Sequence, residues 1–468
     1  MGLRRAKDVE SRFANYVEGL VRVVGHQDRV EPMRDYCTGL MTPADRKSVE
    51  PMAAITAPSR TAAQHQCLLH FVNQGPWLDE PVLGKVREMV LPAIERHGPI
   101  EAWIIDDTSF PKQGHHSVGV AHQYCGQLGK QANCQVAVSL SLANHHASLP
   151  VAYRLYLPKE WTEDRRRLRK AGVPEEISFK TKPEIALEHI RWACEIGLPR
   201  GTVLLDAGYG HDSKLRAGIT ELGLPYMVGI QSQTLVWAPR TRPGRAPKKG
   251  RRDEPNAVSA KDLAIGLPAK AWKTIKWREG TNDWLSSCFA CIRVCVASGH
   301  QRSETPVKEW LLIEWPAGED EPTKYWLSTL PKNTPLRQLV DITKLRWRIE
   351  RDYQELKQEV GLGHFEGRGW RGFHHHATMC IAAYGFLVSE RETIPPSGSR
   401  RPAQFAKPSI SESDKSRRSA ITAGATHTKL DRNYAPAIDR RNRQTSATMS
   451  MLQSLDAGAF KAGPFVTQ

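Results

Sequence analysis

The sequence predicts an α/β fold: a mixed sheet covered by helices, preceded by a helical domain, interrupted by a β-rich insertion and followed by a basic tail. Three observations predict it. Between about residues 100 and 230, short apolar runs alternate with stretches of helical periodicity, the order of strands and their covering helices. Before that stretch the apolar spacing is helical alone. After it, several strand-like runs follow one another directly, as in an antiparallel unit. The 468 residues suffice for two or three domains.

Residues 1–96 read as a helical domain. Val9, Phe13, Tyr16, Val17, Leu20 and Val21 keep helical spacing, and "PVLGKVREMVLPAIERHG" is a second helix ended near Gly98-Pro99. This unit is either a DNA-binding domain or a helical cap on the main domain. Residues 97–236 and 331–391 form the core. "EAWIIDD", "CQVAVSLSLAN", "LPVAYRLYLP", "GTVLLDAGYG" and "YMVGI" read as strands. "KPEIALEHIRWACEIGLP" and "SKLRAGITELGLP" read as helices, the first with Ile185, Ala186, His189, Ile190 and Ala193 on one side. Residues 237–330 form the insertion. It opens with the Pro/Gly/Arg/Lys-rich loop "WAPRTRPGRAPKKGRRDEPN", a solvated linker or a loop along a phosphate backbone. "NTPLRQLVDITKLRWRIERDYQELKQEVGL" then reads as one long helix, with Thr334 as N-cap and Pro335 at its first position. "HATMCIAAYGFLVSER" is the last core helix. Residues 392–468 are poor in large apolar side chains and read as a disordered basic tail, with 13 Lys/Arg and 6 Asp/Glu over 391–468.

Charge narrows the function classes. Lys and Arg number 66 against 50 Asp and Glu, a net charge of +16, which suits a polyanionic partner, nucleic acid first. No apolar run approaches a membrane span, and the mixed N-terminus is neither a signal peptide nor a myristoylation site. Nine scattered cysteines suit a reducing cytosol, so a cytoplasmic protein is expected.

Three acidic positions stand out. Asp106-Asp107 end one strand, Asp206 ends another, and Glu350 lies in the long helix. Adjacent carboxylates repel unless a cation offsets them. Carboxylates from two strand ends and a helix can converge on two Mg2+ ions that clamp both oxygens of a phosphoryl transfer. At least one of the Asp106-Asp107 pair is therefore expected to hold metal. At about 100° per residue, Thr343, Arg346, Glu350 and Lys357 share one face, so an acid is flanked there by cations suited to phosphate.

With these residues in place, the chain resembles the DDE-superfamily insertion-sequence transposases of the cut-and-paste group named for a Tyr-x2-Arg-x3-Glu-x6-Lys signature. Arg346, Glu350 and Lys357 match the spacing, and Thr343 stands where the signature has Tyr. "IIDDTSFPKQG", "HSVGVAHQYCGQLGK", "LLDAGYG" and "GLGHFEGRGWRGFHHH" also look like blocks of one branch, and the resemblance covers about residues 30–390. It implies a ribonuclease-H-like core with a β insertion between the second and third acids. It implies Asp107, Asp206 and Glu350 as the catalytic, metal-holding triad. Asp107 is favoured because Thr108 follows it, with Asp106 as a supporting neighbour. It implies Arg346, Lys357 and Thr343 as phosphate contacts, and two Mg2+ ions for which Mn2+ can substitute. It implies cleavage and strand transfer at terminal inverted repeats of double-stranded DNA by a homodimer. The short Thr343 leaves a hairpin intermediate open. Two rivals are a stand-alone endonuclease on the same fold and a non-catalytic end-binding inhibitor or decayed copy.

Other candidates rank lower. Cys288, Cys291 and Cys295 lack a second ligand pair for zinc and read as buried strand residues. The histidines of "FHHH" read as a satisfied surface cluster, and His115, His116 and His122 lie near the first acid. Trp237, Trp284 and Trp326 are expected to pack in a core rather than stack on a flipped base. "GQLGK" lacks phosphate-loop spacing.

Overall fold

The computed structural model describes residues 2–237, 257–277, 284–297 and 307–394. The basic loop after Trp237 and the tail after Ile394 lie outside the described residues.

Twelve strands form one sheet: β1 Ala102–Pro111, β2 Ala121–Cys125, β3 Lys130–Ala143, β4 Ser148–Leu155, β5 Thr202–Leu205, β6 Tyr226–Ile230, β7 Leu235–Trp237, β8 Val258–Ser259, β9 Lys273–Trp277, β10 Leu285–Val296, β11 Glu309–Trp315 and β12 Lys324–Ser328. The core runs β4-β3-β1-β5-β6. β3 is antiparallel to β1 and β4, whereas β5 is parallel to both β1 and β6. This is the ribonuclease-H-like arrangement the resemblance implies. The insertion continues the same sheet, because β12 pairs antiparallel with β6, then β11 and β10 follow.

β1 shows how strand alternation assigns faces. Trp103 and Ile105 join the cluster that includes Ile185, Ala186 and Ile190 of helix Lys182–Glu195. Ala102 and Ile104 join the opposite cluster, with Leu339, Val340, Leu345 and Ile349. Successive side chains of a strand point to opposite faces, so helices cover both sides and the strand is apolar throughout its first half.

The long helix expected from Pro335 is two helices end to end, Leu336–Leu345 and Trp347–Gln358, with Arg346 between them. There the amide of Arg346 donates to the Thr343 carbonyl and that of Ile349 to the Arg346 carbonyl, both with three-residue spacing, which tightens the turn. Pro335, in extended conformation, holds the N-cap position that Thr334 was expected to hold, and no side chain caps this end. Lys344 pins the first helix to the insertion. Its Nζ lies 2.9 Å from both oxygens of Glu314 and 4.3 Å from the Trp277 ring centroid, with Phe289 and Trp326 also around it.

The last helix, Trp370–Thr393, is buried along most of its length because the N-terminal helices wrap it. Arg12 grips Glu390 with two 2.8 Å bonds, Tyr16 donates to the Ala382 carbonyl, and Thr378 donates to Asp79. The helical unit 1–96 therefore packs against the last helix of the core. The histidines expected at the surface are core residues: His375 and His376 are buried and His374 is half-buried. His375 stacks on Trp77 at 3.6 Å, and His376 accepts from Tyr36 while its Nε2 faces the Gly361 carbonyl. Conversely, Trp284 was expected in a core and is 61% exposed, while Trp326 is half-buried beside Lys344. No described helix is long and apolar enough to cross a membrane.

Candidate active site

Asp106 and Asp107 sit mid-strand on β1, paired opposite Ser139 and Val138 of β3, rather than at its end. Alternation sends them to opposite faces. Asp106 follows Ile104 toward the helix pair, and Asp107 follows Ile105 toward helix Lys182–Glu195.

On the first face three carboxylates meet one cation. The Arg346 guanidinium lies 2.8 Å from Asp106, 3.8 Å from Asp206 and 3.5 Å from Glu350. Asp206 is placed by a turn. It ends the segment after β5, and its side chain accepts from the Tyr209 amide, capping the short helix Ala207–Gly210. That turn lies directly on β6. A Cβ at Gly210 would stand 1.9 Å from the Gly229 carbonyl oxygen, and one at Gly229 would stand 2.8 Å from the Ala207 nitrogen. The two glycines in "DAGYG" and "YMVGI" thus permit the approach that carries Asp206 to the cluster. Glu350 projects from the first turn of the second helix, four residues from Arg346 and largely exposed. Tyr353, one turn on, donates to the Asp106 carbonyl at 3.1 Å and meets Ser139 Oγ at 2.7 Å, fixing this helix to β1 and β3.

Electrostatics single out Asp106. Burial pushes its carboxyl up to about 7, against the opposing pull of Arg346, and the charges of Asp206 and Asp107 push the same way. Arg346 keeps its charge. Burial disfavours it, but Asp106, Asp206 and Glu350 together hold its pKa above the usual guanidinium value. Its Nε is buried without a hydrogen-bond partner among the described residues.

Asp107 has other partners. Lys182 Nζ lies 2.9 Å from its Oδ2, and Tyr209 donates to the same oxygen at 3.3 Å. The geometry thus separates the pair: Asp106 shares Arg346 with Asp206 and Glu350, whereas the expected Asp107 faces Lys182 and Tyr209. Lys182 and Tyr209 were not singled out from sequence, and only the strand alternation could have pointed to them.

The remaining expected residues are spread along the same helix pair. Lys357 donates to the Ser109 carbonyl at 2.8 Å, beyond the aspartates on β1, and burial lowers its pKa to about 8. Thr343 is buried, and its hydroxyl donates to the Leu339 carbonyl at 2.7 Å inside its own helix. His115, His116 and His122 are exposed beyond β1. On β10, alternation places Cys288 on the face opposite Cys291 and Cys295.

Asp106, Asp206 and Glu350 offer hard carboxylate oxygens, the donor set that suits Mg2+ or Mn2+. They surround a point of positive charge that Arg346 now supplies. With the guanidinium between them, no group of three His, Cys, Asp or Glu side chains among the described residues stands at metal-ligand spacing. The donors fit a divalent ion in kind, while in this structure Arg346 occupies the space between them.

Comparisons with known proteins show the family of this chain. A family model described as DDE superfamily endonuclease matches residues 19–283, or 265 positions (283 − 19 + 1) of 468. A second, described as Transposase DDE domain, matches residues 184–386. The first span holds Asp106, Asp107 and Asp206, and the second holds Asp206, Arg346, Glu350 and Lys357. The chain is 27% identical over 331 residues to a probable transposase for insertion sequence element IS701 of Microchaete diplosiphon, covering 70% of this chain and 74% of that protein.

Proposed function

Because the chain belongs to the DDE superfamily of endonucleases, we propose that it is the transposase of an insertion sequence, cutting and joining double-stranded DNA at the element's terminal repeats. The observation that carries this reading is the meeting of Asp106, Asp206 and Glu350 around Arg346. Asp106 replaces Asp107 in the triad proposed from sequence.

In this reading Asp106, Asp206 and Glu350 would hold two Mg2+ ions, with Mn2+ as a substitute. Ions held there would supply a water of lowered pKa and charge stabilisation for the leaving oxygen of a phosphoryl transfer. The protein's own groups do the rest. Arg346 leaves the carboxylates for a phosphate near the scissile bond, exchanging one anionic partner for another. Lys357, near the Ser109 end of β1, binds a further phosphate. Lys182 and Tyr209 hold Asp107 turned away, so that it backs β1 rather than crowding the metal acids. Thr343, with its hydroxyl already used in the helix, serves phosphate binding only by supporting the position of Arg346. Two element ends must be held together for joining, so a homodimer on DNA is the working form, within the cytoplasm.

The test uses a plasmid carrying the gene's own flanking DNA, purified protein and Mg2+. Wild type should release the element. Asp106→Asn and Glu350→Gln should abolish strand cleavage, and Asp107→Asn should retain it within about tenfold, because removing a metal-holding acid removes the reaction whereas removing its neighbour only disturbs packing. Loss in Asp107→Asn with retention in Asp106→Asn would restore the sequence-based triad. Cleavage without joining would mark a stand-alone endonuclease. Binding without cleavage by wild type would mark an inhibitor or a decayed copy.

A further inference from the structure

The short helix Arg165–Lys170 takes no part in the carboxylate cluster, yet it concentrates charge. At about 100° per residue, Arg165, Arg169, Arg166 and Lys170 fall within an arc of about 140°, and Leu168 falls on the far side. These four cations are exposed, while Arg167 and Leu168 are half-buried. Among the described residues none of the four forms an ion pair. The neighbouring acids are partly committed: Glu163 pairs with Lys159, and Asp164 caps the helix by accepting from the Arg167 amide.

The helix is held firmly in place. Trp161, 1% exposed, donates its Nε1 hydrogen to the Val120 carbonyl at 2.8 Å. Arg167 stacks its guanidinium 3.6 Å from the Trp161 ring centroid and donates to the His115 carbonyl at 2.8 Å. The amide of Trp370 donates to the Ala171 carbonyl, and that of Val118 to the Arg368 carbonyl. The helix is thereby fastened both to the loop leaving β1 and to the segment that follows the Glu350 helix. β1 runs four residues past Asp107 to Pro111, about 13 Å of strand. The Arg167 bond to the His115 carbonyl therefore sets the helix beside the loop that leaves the C-terminal end of β1, the strand that carries the site.

We propose that this face of helix Arg165–Lys170 is a backbone contact for double-stranded DNA, gripping phosphates of the duplex beside the one being cut. The inference rests on the transposase reading and names a surface that reading does not. Three of the four cations are arginines, whose planar donors suit phosphate oxygens. The exposed face carries no apolar side chain to enter a bilayer, so an anionic membrane is the poorer partner.

The experiment measures binding to a duplex of about 40 base pairs and arbitrary sequence, in EDTA, by fluorescence anisotropy across a salt series. The protein with Arg165→Ala, Arg166→Ala and Arg169→Ala is compared with wild type. A charge-matched control carries Arg96→Ala, Arg191→Ala and Arg200→Ala, all exposed and at the opposite end of β1 or its neighbours. Three lost phosphate contacts should make the slope of log K against log salt shallower by about 2–3 in the first protein, with little change in the control. Equal changes in both, or a wild-type slope in the first, would overturn the inference while leaving the transposase reading intact. A wild type that binds no duplex at any salt would overturn both. Should the triple variant lose its cooperative melt, the single variants are used, and each should reduce the slope by about 0.9.

Discussion

Replacing Asp106 by Asn should make the metal-free protein more stable while removing its activity. The magnitude follows from the carboxyl's shift. Its folded value is about 7 against 3.8 for the ordinary group, a difference of about 3 units. At 1.36 kcal/mol per unit, holding Asp106 ionised in the fold costs about 4 kcal/mol at pH 8. The folded state binds this proton more tightly than the unfolded chain does. The penalty is therefore absent below pH 3.8, grows as pH rises, and is complete above pH 7. At pH 5 it is about 1.6 kcal/mol by the same arithmetic. Asn removes it, and Arg346 is not orphaned, since Asp206 and Glu350 remain within 3.8 Å and 3.5 Å. Urea unfolding in EDTA should show Asp106→Asn more stable than wild type at pH 8, by at most about 4 kcal/mol. That advantage should shrink by more than half at pH 5. Mg2+ should raise the wild-type midpoint and leave the variant's unchanged. A variant less stable than wild type at pH 8, with no pH dependence in the difference, would refute the reasoning.

Three further outcomes are expected. Lys344→Met should destabilise by about 3–5 kcal/mol, because it leaves the buried Glu314 unpaired, and adding Glu314→Leu should recover most of the loss in a denaturation double-mutant cycle. Gly229→Ala should cost cleavage more than stability, because the added Cβ meets the backbone of Ala207 and Asp206; a wild-type turnover rate in the variant would contradict the tight approach. His376 is bonded as a neutral ring, and burial lowers its pKa to about 4 from 6.5, so the unfolded chain takes up the proton first. This ring alone should then lower stability by about 2 kcal/mol at pH 5 as pH drops from 6.5 toward 4, and His376→Gln should make that part of the calorimetric pH profile shallower by about that amount, with His189, His374 and His375 keeping the remainder.

Much of this architecture was legible in the sequence. The apolar runs ending in Asp107 and Asp206, and the spacing of Arg346, Glu350 and Lys357, located the site's strands and helices, because alternation and helical period are local properties. Which of two adjacent aspartates joins the cluster was not legible. The answer depends on which face of β1 the Glu350 helix packs against, and that is decided by Leu339, Leu345 and Ile349 meeting Ile104. The histidines of the last helix looked like surface residues because nothing local reveals the helices that wrap them. The run "RRRLRK" carried a visible charge signal but no period long enough to mark it as a helix with one exposed face. Thr343 shares the stripe of Arg346 by spacing, yet a buried position and a bond to the Leu339 carbonyl take its hydroxyl out of reach of a ligand.

The wrapping of the last helix by the first ones also sets a timetable. Helix Asp79–Glu95 is complete 275 residues (370 − 95) before the start of Trp370–Thr393, the element it packs on. At roughly 5–20 residues per second, a newly made chain carries its N-terminal helices without their apolar partner for about 14–55 s. During that interval Phe13, Leu20, Val86 and Val90 have no permanent cover, and they are surfaces a chaperone would hold. A transcript cut short before residue 370 would extend that wait without end, so premature truncation should yield aggregates or degradation products rather than a folded fragment.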